Sequence, residues 1–161
     1  MKSAGATALV VLILDAVTKH LALQHLPPGR PVSVIDGFFS LTLVMNPGLA
    51  FGMLAGTPAE WRWLVASLSI AALAVLAVVG LRMLPAGGRL TPLALGLIFG
   101  GAVGNLIDRG RFGAVVDFLD FYWRGYHWPA FNVADSAISV GVALLALRML
   151  TAPASSSSSP R

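Results

Sequence analysis

The chain has 161 residues, 57% of them hydrophobic and only 11% charged, with a formal net charge of +4. With a mean hydropathy of +0.80, such scarcity of charge excludes an ordinary soluble domain and makes a bilayer the expected solvent of one domain. The absence of cysteine excludes a disulfide framework, a thiol nucleophile and a cysteine-based zinc site.

Residues 3–23 form a first apolar segment of crossing length, interrupted by Asp15, Thr18 and Lys19. Those polar positions, and the lack of a small-residue cleavage site before His25-Leu26-Pro27-Pro28, favour an uncleaved helix over a signal peptide. From Arg30 to Gly52 the pattern changes: Val32, Val34, Phe39, Leu41 and Leu43 approach the alternation of a half-buried strand. Pro27-Pro28-Gly29 and Asp36-Gly37 supply turns, so a small sheet or hairpin at the membrane surface is expected.

The second span, about 61–84, opens with Thr57-Pro58-Ala59-Glu60, which combines an N-cap, a proline at the first helical position and a capping-box acid. Trp61 and Trp63 suit the interface. No charge interrupts Trp63 to Leu81 or Leu90 to Ile107, and each stretch is long enough to cross a hydrocarbon core of roughly 30 Å. Pro85-Ala86-Gly87-Gly88 ends one helix and Thr91-Pro92 begins the next, so spans two and three (91–109) form an antiparallel hairpin. Val115 to Phe131, rich in aromatic residues, suggests an interfacial loop. A fourth span covers 132–150, with Asp135 near its start and Arg148 near its end. The fold expected is therefore an all-α membrane protein of four transmembrane helices with a small sheet and an aromatic interfacial loop. Its single domain covers 1–151, and the tail 152–161, with five consecutive serines, is expected to be disordered.

The basic residues are dispersed and flank apolar segments, which points to topology rather than to nucleic acid. Four spans put Lys2, Arg82, Arg89, Arg148 and Arg161 on one side and Arg30, Arg62, Arg109, Arg111 and Arg124 on the other, a tie. The acidic residues beyond the first helix all fall on the second side, which tips the expectation toward cytoplasmic termini.

Ionisable groups at membrane depth are costly and mark function by default. Asp117 and Asp135 flank the aromatic segment, so a chain that folds back brings both carboxylates to one membrane face. Two carboxylates sharing a site do not both ionise easily; one keeps a proton while the other acts as a base toward water. Asp108 and Asp120 stand as equal alternatives by count, and Asp135 has a purely structural explanation in a helix capped by Asn132. Asp15, Thr18 and Lys19 lie on one face of the first helix, as an internal ion pair requires. Asn105, Asp108 and Arg109 repeat that spacing; an acid at a helix C-terminus needs a specific partner. Gly100, Gly101 and Gly104 supply a small-residue packing face. His20, His25 and His127 show no metal-ligand spacing, so no metal or cofactor is expected. A proton-coupled transporter would need carboxylates spread through the bilayer, and a structural subunit would give these polar groups no reason to converge.

Taken together, Asp15-Ala-Val-Thr18-Lys19, Asn46-Pro-Gly48-Leu-Ala50-Phe51-Gly52, Gly101-Ala-Val-Gly104-Asn105-Leu-Ile-Asp108-Arg109, Val115-Val116-Asp117-Phe118 and Phe131-Asn132-Val-Ala134-Asp135 resemble the motifs of bacterial lipoprotein signal peptidases (signal peptidase II), in that family's order. The resemblance implies an intramembrane aspartyl endopeptidase with Asp117 and Asp135 as catalytic dyad. It implies supporting or substrate-binding roles for Asp15, Lys19, Asn46, Gly48, Asn105, Asp108, Arg109, Asn132 and Ala134. The implied substrates are diacylglyceryl-modified prolipoproteins, cut on the N-terminal side of the lipidated cysteine. It further implies a monomer in the bacterial inner membrane, in contact with lipid, with its site near the outer face and sensitivity to inhibitors of the globomycin type.

Overall fold

The computed structural model describes residues 2–48, 62–83, 88 and 90–151. Four helices, α1 (Lys2–His25), α2 (Arg62–Met83), α3 (Leu90–Phe112) and α4 (Val133–Thr151), accompany strands β1 (Val32–Ile35), β2 (Phe39–Asn46), β3 (Val115–Trp123) and β4 (Tyr126–His127). By length and apolar composition α1, α3 and α4 can each cross a membrane. The capping sequence Thr57–Glu60, Trp61, residues 49–52, the break at 85–87, Arg89 and the serine-rich tail lie outside the described residues, as does the Trp63 side chain.

Helix α3 is the centre, packed on α1, α4 and α2. In lipid, helices gain little from the hydrophobic effect between them and associate where small residues allow close approach. Here Gly96 and Gly100 meet the α1 backbone at Ala4 and Ala8, while Gly101 faces the Ala134 carbonyl of α4. Gly141 returns the arrangement from α4, against Ala94 and Ile98. These pairings make α1 parallel and α4 antiparallel to α3, so Lys2 and Thr151 lie at the same end of the bundle. The outward surfaces remain apolar: Leu9, Val10, Ile13, Leu14 and Val17 on α1 and Val140, Leu147 and Met149 on α4 are about half exposed or more.

At the opposite end sits an antiparallel sheet in the order β1-β2-β3-β4. Asp36-Gly37 turns β1 into β2, as its turn signal predicts, and the expected small sheet is present over Val32–Ile35 and Phe39–Asn46. The aromatic segment departs from expectation. It is not a loop: Val115–Trp123 is the longest strand and pairs with β2 from Phe39↔Phe121 to Asn46↔Val115. Its first four residues are buried on both faces, so apolar alternation, the usual signature of a strand, is missing there. Arg124 and Gly125, both at positive φ (49° and 82°), then form the two-residue turn that matches strand twist and returns the chain as β4. Phe121 stacks on Phe39 at 4.6 Å and on Phe131 at 5.9 Å between centroids, so the aromatic cluster serves partly as the packing of the sheet.

Candidate active site

The site forms where the C-terminal ends of α1 and α3, the N-terminus of α4 and strands β2 and β3 meet. Register determines part of it. Val44 stands opposite Asp117 in the β2–β3 ladder, which puts Asn46, two residues on, diagonally across the same face. Its side-chain amide donates to Asp117 Oδ2 at 3.0 Å. The Asn46 carbonyl oxygen accepts the Gly48 amide at 2.9 Å, an Asx turn that sets the chain's exit from β2.

After β4 the chain runs back along β3, with Phe131 exchanging backbone hydrogen bonds with Leu119 and its carbonyl accepting the Phe118 amide as well. This delivers Asn132, fully buried, to the side of Asp117. The Asn132 amide nitrogen donates to Asp117 Oδ1 at 2.7 Å and lies 3.2 Å from both Asn105 Oδ1 and the Val116 carbonyl. Its carbonyl oxygen accepts the backbone N–H of Asp135 at 2.9 Å, the N-cap read from the sequence. Asp135 is thereby held in the first turn of α4, and its Oδ1 accepts from Asn105 Nδ2 at 2.8 Å. Asn105 and Asn132 thus bridge the two carboxylates with amide donors. Asp117 is buried and Asp135 only partly so, which leaves the Asp135 side open to approach.

Beneath the pair lies an ionic cluster. The Lys19 ammonium donates to Asp15 Oδ2 at 2.8 Å, Asp108 Oδ2 at 2.9 Å and Asn105 Oδ1 at 2.9 Å, matching its three donors to three acceptors. Asp15 and Asp108 use their remaining capacity on backbone: Asp15 Oδ1 accepts from the Ala134 amide at 2.9 Å, and Asp108 Oδ2 from the Val116 amide at 3.1 Å. The cluster ties α1 to α4 and α3 to β3, which explains why an acid tolerates the end of α3. Ala134 is fully buried with its carbonyl against Gly101, and Gly104 leaves room for the Asp15 carboxylate. Thr18 takes no part; its hydroxyl bonds the α1 carbonyls of Leu14 and Asp15. Arg109 NH2 donates to the Gly48 carbonyl at 2.7 Å, while its buried Nε has no hydrogen-bond partner among the described residues.

Burial, and next the neighbouring Asp135 charge, push the Asp117 carboxyl up to about 7 against the opposing pull of the Asn46 and Asn132 amides. Of the alternatives left open by sequence, Asp108 is absorbed by Lys19 and the Val116 amide. Asp120 lies elsewhere, bonded to Ser40 and His127, and neither partner carried any sequence signal for this pairing. No group of three or more His, Cys, Asp or Glu among the described residues could hold a metal ion. An apolar groove of about 450 Å³, lined by Thr18, Leu21, Ala22, His25, Leu26, Leu41 and Phe118, opens next to the strand that carries Asp117.

An apolar helix bundle with bridged carboxylates gathered at one end defines a membrane protein with an ionisable site. Two solved structures described as bacterial membrane enzymes share this fold. One superposes with a TM-score of 0.79 at 28% identity, covering 100% of this chain and 95% of the other. The second has a TM-score of 0.74 at 30% identity, with 94% of each chain covered. The family model described as Signal peptidase (SPase) II matches residues 7–151, and the chain belongs to that family of peptidases. It is 50% identical over 146 residues to the lipoprotein signal peptidase of Geobacter sulfurreducens, covering 91% of this chain and 90% of the relative. The lipoprotein signal peptidase of Cupriavidus necator is also 50% identical, over 142 residues, covering 87% and 78%.

Proposed function

We propose that this chain is an aspartyl endopeptidase that removes signal peptides from diacylglyceryl-modified prolipoproteins, cutting on the N-terminal side of the lipidated cysteine. The observation that carries this reading is the bridge Asp117–Asn132–Asn105–Asp135, with links of 2.7, 3.2 and 2.8 Å. It fixes two carboxylates in one amide frame.

In the reaction, one carboxylate removes a proton from water as the water oxygen bonds to the scissile carbonyl carbon. The other, protonated carboxyl gives its proton to the carbonyl oxygen, forming a neutral tetrahedral gem-diol. Collapse breaks the C–N bond: the departing amine nitrogen takes a proton from the first carboxyl, and the second recovers its own from the gem-diol hydroxyl that becomes the new carbonyl. No covalent intermediate is needed. The amides of Asn46, Asn105 and Asn132 hold the carboxyl groups, and Arg109, anchored on Gly48, places a guanidinium near charge that develops on the substrate.

The chain acts as a four-span protein of the bacterial inner membrane, with α2 as the remaining span, both termini cytoplasmic and the site near the outer face. A signal helix crossing the bilayer then presents its scissile bond at the level of the dyad. The groove beside β3 suits an acyl chain of the lipid-modified substrate. The protein is taken to act as a monomer. A proton-relay reading is less well supported, because Asp15, the acid set deepest in sequence, joins the same cluster through Lys19.

Purified protein is expected to cleave a diacylglyceryl-modified precursor peptide in detergent micelles and to be inhibited by globomycin. Asp117→Asn and Asp135→Asn are each expected to abolish cleavage while still inserting and folding. Wild-type protein without cleavage, or both variants fully active, would overturn the assignment.

A further inference from the structure

Asp120 is a buried carboxylate that the proposed chemistry leaves unused. It is 5% exposed, on the face of β3 opposite Asp117. Its Oδ2 accepts from Ser40 Oγ at 3.1 Å, Ser40 being its cross-strand neighbour on β2 and itself buried. His127 Nδ1, from β4, lies 3.0 Å from both Asp120 oxygens, so the ring nitrogen donates to an acceptor-only carboxylate. The imidazole also stacks on Tyr122, with centroids 5.0 Å apart and planes 16° apart. Asp120 therefore cross-links three strands.

The returning chain makes this link matter. Tyr122 stands opposite His127, whereas Leu119 stands opposite Phe131. Three steps along β3 thus face four along the return, and one extra residue is accommodated around Pro129-Ala130. Backbone bonds hold the return on either side of this bulge, through the Trp128 amide on the Phe121 carbonyl and the exchange between Phe131 and Leu119, and the link from Asp120 to His127 adds a side-chain tie at its start. A one-residue slip moves the chain about 3.3 Å and turns each side chain to the other face. Asn132 follows immediately after, and the same slip would carry its amide away from Asp117 and shift the start of α4 with Asp135.

We propose that Asp120, with His127 and Ser40, is a positioning group that locks the register of the 126–131 return and thereby holds Asn132 and Asp135 against Asp117. The inference rests on the dyad reading above and adds residues that touch neither substrate nor reacting atoms. A His127→Asn variant keeps a side-chain N–H near the Nδ1 position; His127→Ala removes it.

The test is steady-state cleavage of the lipid-modified precursor by full-length protein in detergent, with thermal unfolding followed in parallel. His127→Ala and Asp120→Ala are expected to lower kcat about tenfold or more, by misplacing the dyad partner, with KM within about twofold. His127→Asn is expected to recover most of the lost kcat. Unchanged kcat in both alanine variants, or a loss that follows the unfolding temperature and is not recovered by His127→Asn, would overturn the proposal while an active wild type leaves the peptidase reading intact. A wild type that fails to cleave removes the dyad reading itself.

Discussion

At the scale of single residues, Lys19 shows how this chain carries charge inside an apolar bundle. One ammonium, 3% exposed, satisfies two carboxylates and an amide from two helices. Removing one partner of such a buried set leaves uncompensated charge, at a cost of about 3–5 kcal/mol. Lys19→Met is therefore expected to lower the unfolding temperature in detergent sharply, because Asp15 and Asp108 are left facing each other. A wild-type unfolding temperature for this variant would show that the cluster contributes little. For Asp117 the relevant quantity is its proton. With the carboxyl raised to about 7, chiefly by burial and then by Asp135, Asp117 is about half protonated at neutral pH and loses its proton as pH rises. Cleavage by an acid–base pair that needs this proton is expected to decline above about pH 7, since the raised value defines the alkaline limb. A kcat/KM profile between pH 5 and 9 checks this; a rate still level at pH 9 would contradict it.

Among the elements, α3 depends on glycine where its neighbours come closest. A Cβ at Gly104 would meet the Asp15 carboxylate, and one at Gly101 the Ala134 backbone carbonyl. Overpacking of this sort typically costs about 1–3 kcal/mol. Gly101→Ala is expected at the upper end, because backbone gives way less readily than a side chain, and to depress cleavage by displacing the start of α4. Comparing unfolding temperatures and kcat of Gly101→Ala with those of Gly110→Ala, where a Cβ meets open space, separates packing from helix propensity. The helices were legible in the sequence because long apolar runs have few alternatives in lipid. Strand β3 was not: its carboxylates interrupt any apolar count, and its partners on β2 lie 69 to 82 positions earlier, from Asn46↔Val115 to Phe39↔Phe121.

For the whole molecule, antiparallel helices alternate so that the described ends lie at the pole opposite the sheet and site. The absence of native cysteine makes the proposed topology directly testable. Single substitutions Arg30→Cys, on the exposed approach to β1, and Thr151→Cys, at the end of α4, are expected to react with a membrane-impermeant thiol reagent from opposite sides of spheroplasts. Arg30→Cys should label from outside. The reverse pattern would place the site on the cytoplasmic face and contradict the proposed orientation.

The sequence by itself determined the solvent, the number of long apolar segments and the residues capable of chemistry, because each follows from transfer free energy and side-chain type. It also determined the cap at Asn132, a local motif within four residues of Asp135. Only the tertiary structure decided which acids share an environment. By composition and spacing Asp108 and Asp120 equal Asp117 and Asp135, and in the sequence only the family motifs single out the latter two; in the fold their surroundings differ through the three-donor geometry of Lys19, the β2–β3 register that sets Asn46 on Asp117, and the return along β3 that brings Asn132 between the pair. Those relations join residues far apart in sequence, and propensity or spacing alone does not encode which distant partner satisfies a buried charge.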